Sequence, residues 1–300
     1  MQEKIGNVVL EYEYYPREDF YSDGPVEEEL LEMAKLHLDD YSMVISQKSS
    51  WSALYHFSKI RQNIIEWFPI EPCAQVLEIG SGCGAITGAL AEKAEKVTCV
   101  ELSKKRSYIN AHRNYRYSNI EIIVGNFQDI EPNLSERYDY ITLIGVFEYS
   151  RMYISSDRPF HDMLRKIRGH LKPGGKILLA IENRLGMKYW AGCTEDHNGR
   201  YFEGIEGYTH VSGARTFSKK GTGRNVSRSW RAEGGVFSIL IRIINFLWRS
   251  IPTNIFRNEE NCIIICAIWI GKDCCFLTKL AHTILLWMKD SFRNFPIHFW

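Results

Sequence analysis

Val76-Leu77-Glu78-Ile79-Gly80-Ser81-Gly82-Cys83-Gly84-Ala85-Ile86-Thr87 reads as a short apolar strand, a glycine-rich turn and the start of a helix. Glycine lets a backbone turn tightly with positive φ and lets a ligand come closer than any Cβ would permit. Three glycines at alternate positions exceed what a turn requires, so a ligand is expected across this one. Glu78 stands two residues before the first glycine, at the carboxyl end of the strand. A carboxylate there is costly to bury unless it meets a donor or a cation, and a ligand's ammonium group would answer that need.

Outward from this turn the chain keeps one rhythm. A helix is expected over Ala85–Lys93, a strand over Lys96–Glu101, a helix over Ser103–Asn114 and a strand over Glu121–Val124. A strand at Tyr138–Gly145 and a helix at Phe160–Leu171 follow, then a Lys-Pro-Gly-Gly turn at Lys172–Gly175 and a strand at Lys176–Glu182. Five strands alternating with helices over Gln75–Asn183 predict an α/β fold with a mainly parallel sheet. Glu101 closes the second strand, 23 residues beyond Glu78, about where an acid accepts hydrogen bonds from two ribose hydroxyls.

Taken together, Glu78-x-Gly80-x-Gly82-x-Gly84, the acidic Glu101, Gly125-Asn126-Phe127-x-Asp129 and Leu171-Lys172-Pro173-Gly174-Gly175 resemble the class I S-adenosylmethionine-dependent methyltransferases. The resemblance covers about Gln75–Asn183 and implies a Rossmann-like, doubly wound, mainly parallel sheet with helices on both faces. It also implies that S-adenosylmethionine is the cofactor, its amino-acid end on Glu78, Gly80, Gly82 and Gly84 and its ribose on Glu101. Asn126 and Phe127 would flank the adenine; Asn126 departs from the more usual aspartate but keeps a hydrogen-bonding side chain. Gly80-x-Gly82-x-x-Ala85 also satisfies the dinucleotide pattern, so an NAD-dependent oxidoreductase is the rival on the same fold. A catalytically inactive cofactor-binding protein is a third reading. Glu78 inside the strand, Gly84 and the Pro-Gly-Gly turn favour methyl transfer.

Methyl transfer is an in-line displacement at an already activated sulfonium carbon, so alignment is the main task and no metal is demanded. An oxygen acceptor would still gain from a general base beyond the carboxyl ends of the fourth and fifth strands. Glu148, Glu182 and His161 are the candidates, Glu148 first; each has a bland alternative as a solvated or paired side chain. Gly145–Tyr149 stands where an Asn/Asp-Pro-Pro-aromatic run would favour exocyclic amines of nucleobases. Residues 184–220 mix glycine, aromatics and hydrogen-bonding groups, which suits a small polar acceptor such as a sugar, or else an ordinary surface loop. The chain is also similar to methyltransferases encoded with bacterial surface-polysaccharide glycosyltransferases. That similarity implies O-methylation of a sugar or glycan and glycosyltransferases as partners.

The 37 basic and 36 acidic residues nearly cancel, so no global field draws the protein to nucleic acid or an anionic membrane. Lys104, Lys105, Arg106, Arg113 and Arg116, interleaved with Tyr108, Tyr115 and Tyr117, read as a charged helix face rather than a phosphate track. Eight scattered cysteines lack paired Cys-x-x-Cys spacing and read as reduced structural thiols. The start of the chain lacks the apolar stretch of a secretory signal, and the apolar runs near 236–248 and 262–270 fall short of the roughly 20 residues of a membrane span. A cytoplasmic protein with no stable span is expected.

Three regions are expected. Residues 1–70 form a helical lead-in or cap, with helices at Val26–Leu38 and Ser58–Phe68; residues 71–220 form the cofactor-binding domain with a substrate loop at 184–220. Residues 221–300 contain none of the 16 tyrosines but five of the eight tryptophans. That shift marks an atypical apolar tail: either a separate hydrophobic module, or a segment out of its ancestral frame and poorly ordered.

Overall fold

The computed structural model describes residues 1–218 apart from 20, 21, 23, 49 and 211, together with residues 221, 242–244 and 263–268. Contacts divide the chain into Met1–Trp269 and Ile270–Trp300, and the second unit lies outside the described residues.

In chain order the strands are β1 (Gln2–Ile5), β2 (Val8–Glu11), β3 (Gln75–Ile79), β4 (Lys96–Glu101), β5 (Ile120–Val124), β6 (Tyr138–Ile144), β7 (Leu171–Ile181), β8 (Arg242–Ile244) and β9 (Ile263–Ile268). They lie in one sheet in the order β1-β2-β5-β4-β3-β6-β7-β9-β8. Within this sheet all pairings between the described strands are parallel except the β1–β2 hairpin. The helices are α1 (Val26–Ala34), α2 (Ser42–Lys48), α3 (Trp51–Phe57), α4 (Asn63–Glu66), α5 (Thr87–Ala91), α6 (Lys104–Arg113), α7 (Phe127–Ile130), α8 (Ser150–Tyr153), α9 (Pro159–Gly169), α10 (Met187–Trp190) and α11 (Glu203–Glu206).

Side-chain alternation along the strands makes two cores. Val76, Val97 and Ile122 face a layer that includes Ile64 and Ile65 of α4, Leu90 of α5 and Ala111 of α6. Leu77, Val100 and Ile123 face the other side, against Ile130 of α7 and Leu164 and Ile167 of α9. The result is a Rossmann-like, doubly wound sheet with helices on both faces. Strand order reverses between β3 and β6, and a crevice opens at their carboxyl ends, where such sheets bind ligands. α6 keeps the boundaries that its flanks suggest: Ser103 caps its start by accepting from the Arg106 N–H at 3.3 Å, and Asn114 ends it.

The lead-in differs from the helical cap expected of residues 1–70. Val8 and Leu10 are fully buried and alternate with half-exposed Val9 and Glu11, a strand pattern, and β2 pairs with β5 at the sheet edge. The expected helix at Ser58–Phe68 is broken, because Ser58 caps a 3-10 turn at Lys59–Gln62 before α4 begins. The expected helix over Val26–Leu38 stops at Ala34, and His37 takes a left-handed φ of 52°. The Lys-Pro-Gly-Gly stretch is an irregularity within β7: pairing with β6 jumps from Tyr138–Leu171 to Tyr140–Lys176. β8 and β9 extend the sheet beyond β7; the rest of the tail expected at 221–300, Gly221 apart, lies outside the described residues. No helix among the described residues is long and apolar enough to cross a membrane.

Candidate functional site

A cleft of about 780 Å³ opens where β3, β4, β5 and β6 end, and Gly80, Gly82, Glu101, Asn126, Phe127 and Gly145 line it. Gly82 has φ +52°, and a Cβ built on it meets nothing within 4 Å, so this glycine presents bare backbone to open space. Its N–H donates to Glu101 Oε2 at 2.7 Å, while Ser103 N–H donates to Oε1 at 3.0 Å. Burial pushes the Glu101 carboxyl up against these donors. Phe127 supplies an apolar wall. Asn126 caps α7 instead of projecting a free amide: its Oδ1 accepts from Gln128 N–H at 3.0 Å and its Nδ2 donates to Tyr153 O at 3.3 Å.

Two motif residues are outside this lining. Gly84 has φ +73°, and a Cβ there would stand 2.4 Å from Asn110 Oδ1 and 2.6 Å from Asn114 Nδ2, so its bareness lets the turn pack on α6. Glu78 is 4% exposed and accepts from Thr87 Oγ1 at 2.7 Å, which in turn accepts from Asn110 Nδ2 at 3.1 Å. The donor expected from a ligand is therefore met by the protein itself.

Burial pushes Glu78 up to about 7, against the hydrogen bond from Thr87. The sign follows from linkage: as pH rises from the ordinary value near 4.5 toward about 7, the unfolded chain releases this proton first. Stability from this group is complete below the lower value and is lost as pH rises through the upper one, by at most about 3 kcal/mol. Glu78→Gln is thus expected to melt higher than the parent protein above neutral pH and to match it in mild acid. Thermal melts across that range check this; an unchanged pH slope in the variant would refute it.

A second group of polar side chains adjoins the cleft. Glu148 lies in the turn after β6, Glu182 follows β7, and His197 comes from the loop beyond; one ligand atom of each lies within 4.8 Å of the others. His197 Nε2 is 3.8 Å from Glu148 Oε1 and 4.0 Å from Glu182 Oε2, too far for hydrogen bonds. Its Nδ1 pairs with Glu195 Oε1 at 2.9 Å. Glu195 is 1% exposed and is held in turn by the N–H groups of His197 and Asn198 and by the Tyr208 hydroxyl. Burial alone would lower the imidazole, but Glu148, Glu195 and Glu182 outweigh it and push His197 up to about 10. Burial and the charge of Glu148 push Glu182 up to about 7. Gly145 joins cleft and cluster: it lines the cleft, and its built Cβ stands 3.8 Å from Glu148 Oε1.

The structure thus brings Glu148 and Glu182 together and leaves His161 apart. His161 sits in the first turn of α9, 3.5 Å from Asp162, and lines a different surface cavity with Arg151, Arg158 and Arg215. His197 takes the place that sequence reasoning sought for a histidine. The Glu195-Asp196-His197 run in the polar loop was its signal, but nothing local says which strand ends the loop will meet. The loop is anchored by a bridge between Asn183 and Phe217 and by Arg215 N–H donating to Glu148 O at 2.9 Å.

The basic residues of α6 and of the turn after it are engaged within the chain. Lys105 pairs with Glu28 at 2.5 Å, Arg106 with buried Glu27 at 2.8 Å and Arg116 with Asp39, while the Lys104 ammonium lies 5.1 Å from the centre of the Tyr12 ring. The lead-in is thereby docked on the helix that follows Glu101.

Residues 77–177, about a third of the chain, match a family model described as a methyltransferase domain. The chain is 33% identical over 98 residues to ribosomal RNA small subunit methyltransferase A of Borreliella afzelii, covering 32% of this chain and 35% of that protein. It is 28% identical over 135 residues to the protein of the same name from Syntrophus aciditrophicus, covering 44% of this chain and 45% of that one. The match therefore spans less than half the length of these curated relatives. Among solved structures, a DhpI complex with S-adenosylhomocysteine aligns with 16% identity and a TM-score of 0.43, over 70% of this chain and 89% of that one.

Proposed function

We propose that the chain is an S-adenosylmethionine-dependent methyltransferase that methylates an oxygen of a sugar, glycan or other small polar acceptor. The observation that carries this reading is the wall shared at Gly145. A cleft with open backbone at Gly82 and the Glu101 carboxylate at its side adjoins the Glu148–Glu182–His197 cluster, of which Glu148 is buried. The match of residues 77–177 to a methyltransferase domain supports the reaction class and the cofactor.

In this reading Glu101 exchanges the Gly82 N–H for ribose hydroxyls, Gly82 admits the amino-acid end, and Phe127 packs beside the adenine. Gly80 and Gly84 hold the turn in shape, Asn126 fixes the start of α7, and Glu78 braces the turn through Thr87. The acceptor oxygen forms its bond to the methyl carbon as the carbon–sulfur bond breaks, with the electron pair going to sulfur. Its proton has to be lost beside the cluster, which is where carboxylates and a histidine converge. The reaction belongs in the cytoplasm, with glycosyltransferases that build the same glycan as partners. Residues 71–220 are the working unit.

The relatives named for ribosomal RNA raise nucleic acid as an acceptor. The pairing of Arg106 with buried Glu27 favours a small acceptor instead, because that charge is not offered to phosphates.

Calorimetric titration with S-adenosylhomocysteine and, separately, NAD tests the cofactor. Saturable binding of the former alone is expected, and NAD binding alone would promote the oxidoreductase. Labelled methyl transfer to sugar nucleotides and glycans is then expected; transfer to RNA, protein or small amines with none to sugars would sink the acceptor assignment.

A further inference from the structure

We infer that Glu148, Glu182 and His197 bind one divalent transition-metal cation, which takes the acceptor oxygen as a further ligand. The second clause rests on the methyl-transfer reading; the first stands on the cluster itself.

Three observations converge. Glu148 is 1% exposed, yet its Oε2 accepts no hydrogen bond from any described residue, and the buried Oε2 of Glu182 accepts none either. Buried carboxylate oxygens are ordinarily satisfied, so two orphaned ones in one place call for a missing positive partner. The Nε2 of His197 faces both carboxylates, while its Nδ1 is pinned by buried Glu195. A carboxylate that orients an imidazole from behind is the usual support of a metal-bound histidine. The donors also come from three separate segments, the turn after β6, the end of β7 and the 184–218 loop, so a bound cation would cross-link them.

The spacing is compatible with a cation. Donors that share one at about 2.1 Å stand about 3.0–3.4 Å apart at right to tetrahedral angles. The observed gaps of 3.8 and 4.0 Å from His197, and a Glu148–Glu182 separation of at most 4.8 Å, close with about half to one and a half ångströms of side-chain movement. Two carboxylates and one imidazole suit Mn²⁺, Fe²⁺ or Zn²⁺, whereas Mg²⁺ and Ca²⁺ prefer all-oxygen sets. Two carboxylates also neutralise a divalent charge.

A hydroxyl on such a cation loses its proton to water more readily. The oxygen's lone pair then forms the bond to the methyl carbon, and the carbon–sulfur pair leaves with sulfur. The cluster would thus position and activate the acceptor without acting as a free base.

Manganese titration of the full, chelator-treated chain tests the site, with free Mn²⁺ followed by electron paramagnetic resonance and total binding by calorimetry. One saturable site per chain is expected. Glu182→Gln and His197→Ala should each weaken it by at least about tenfold, and Glu195→Gln by about tenfold through a loosened imidazole. S-adenosylhomocysteine affinity, measured on the same samples, should stay unchanged and reports that each variant is folded. No saturable Mn²⁺ binding by the parent chain, or binding indifferent to His197→Ala, would overturn the inference. Manganese binding without S-adenosylhomocysteine binding would support the cation site and overturn the methyl-transfer reading; the reverse would overturn the site alone.

Discussion

Gly82→Arg is expected to lower S-adenosylhomocysteine affinity by at least about a hundredfold, about 2.7 kcal/mol, while the domain stays folded. Gly82 is bare backbone on the cleft wall: nothing lies within 4 Å of its built Cβ, and the cleft it borders measures about 780 Å³. An arginine side chain would occupy that space. The fold should tolerate it, because the cost is confined to one residue at φ +52°, about 1–2 kcal/mol for a side chain in the left-handed region. Gly82→Ala separates the two effects, since it carries the same backbone strain with little bulk. Gly84→Ala should behave in the opposite way and lose stability first, because its Cβ would meet Asn110 and Asn114. Calorimetry with thermal melts checks all three variants. Unchanged affinity in a folded Gly82→Arg protein would remove the cofactor from this turn.

Glu182→Gln should lower the methyl-transfer rate by about a hundredfold, because it removes a carboxylate from the cluster that positions and activates the acceptor oxygen. S-adenosylhomocysteine affinity should stay within about twofold, because Glu182 is not among the residues lining the cleft at Gly82 and Glu101. The effect should fall on kcat rather than on cofactor binding, since the glutamine keeps size and shape and removes the charge. His161→Ala is the companion variant. With His161 beside Asp162 and in a different cavity, its rate should stay within about twofold of the parent's. Single-turnover transfer from labelled S-adenosylmethionine reads both. A large loss in His161→Ala with none in Glu182→Gln would move the acceptor to the other cavity.

Several elements of this chain were readable because their causes are local. β3 forms on the apolar run before Gly80 and β4 keeps the boundaries expected of it, since a short apolar run between turn signals has few other ways to be satisfied. α6 likewise runs between Ser103 and Asn114, two residues whose side chains and backbone close its ends. The glycines at 80, 82 and 84 all take positive φ, as alternate glycines at a strand-to-helix turn suggest. Other features were not readable because their causes are distant. The β1–β2 hairpin is too short to declare itself and becomes part of the sheet only by pairing with β5, more than a hundred residues away.

The sequence by itself determined the alternation of strands and helices, the glycine-rich turn between β3 and α5, and the acid at the end of β4. Each follows from backbone geometry and burial within a few residues. Only the tertiary structure decided what those residues are for one another: that Glu78 finds Thr87, that Gly84 serves packing while Gly82 faces open space, and that Glu148 meets Glu182 and His197 rather than His161. The reason is physical. Periodicity and capping act over one or two turns of chain, whereas the partner of a buried charge is chosen by which strand ends and loops the packed sheet brings together.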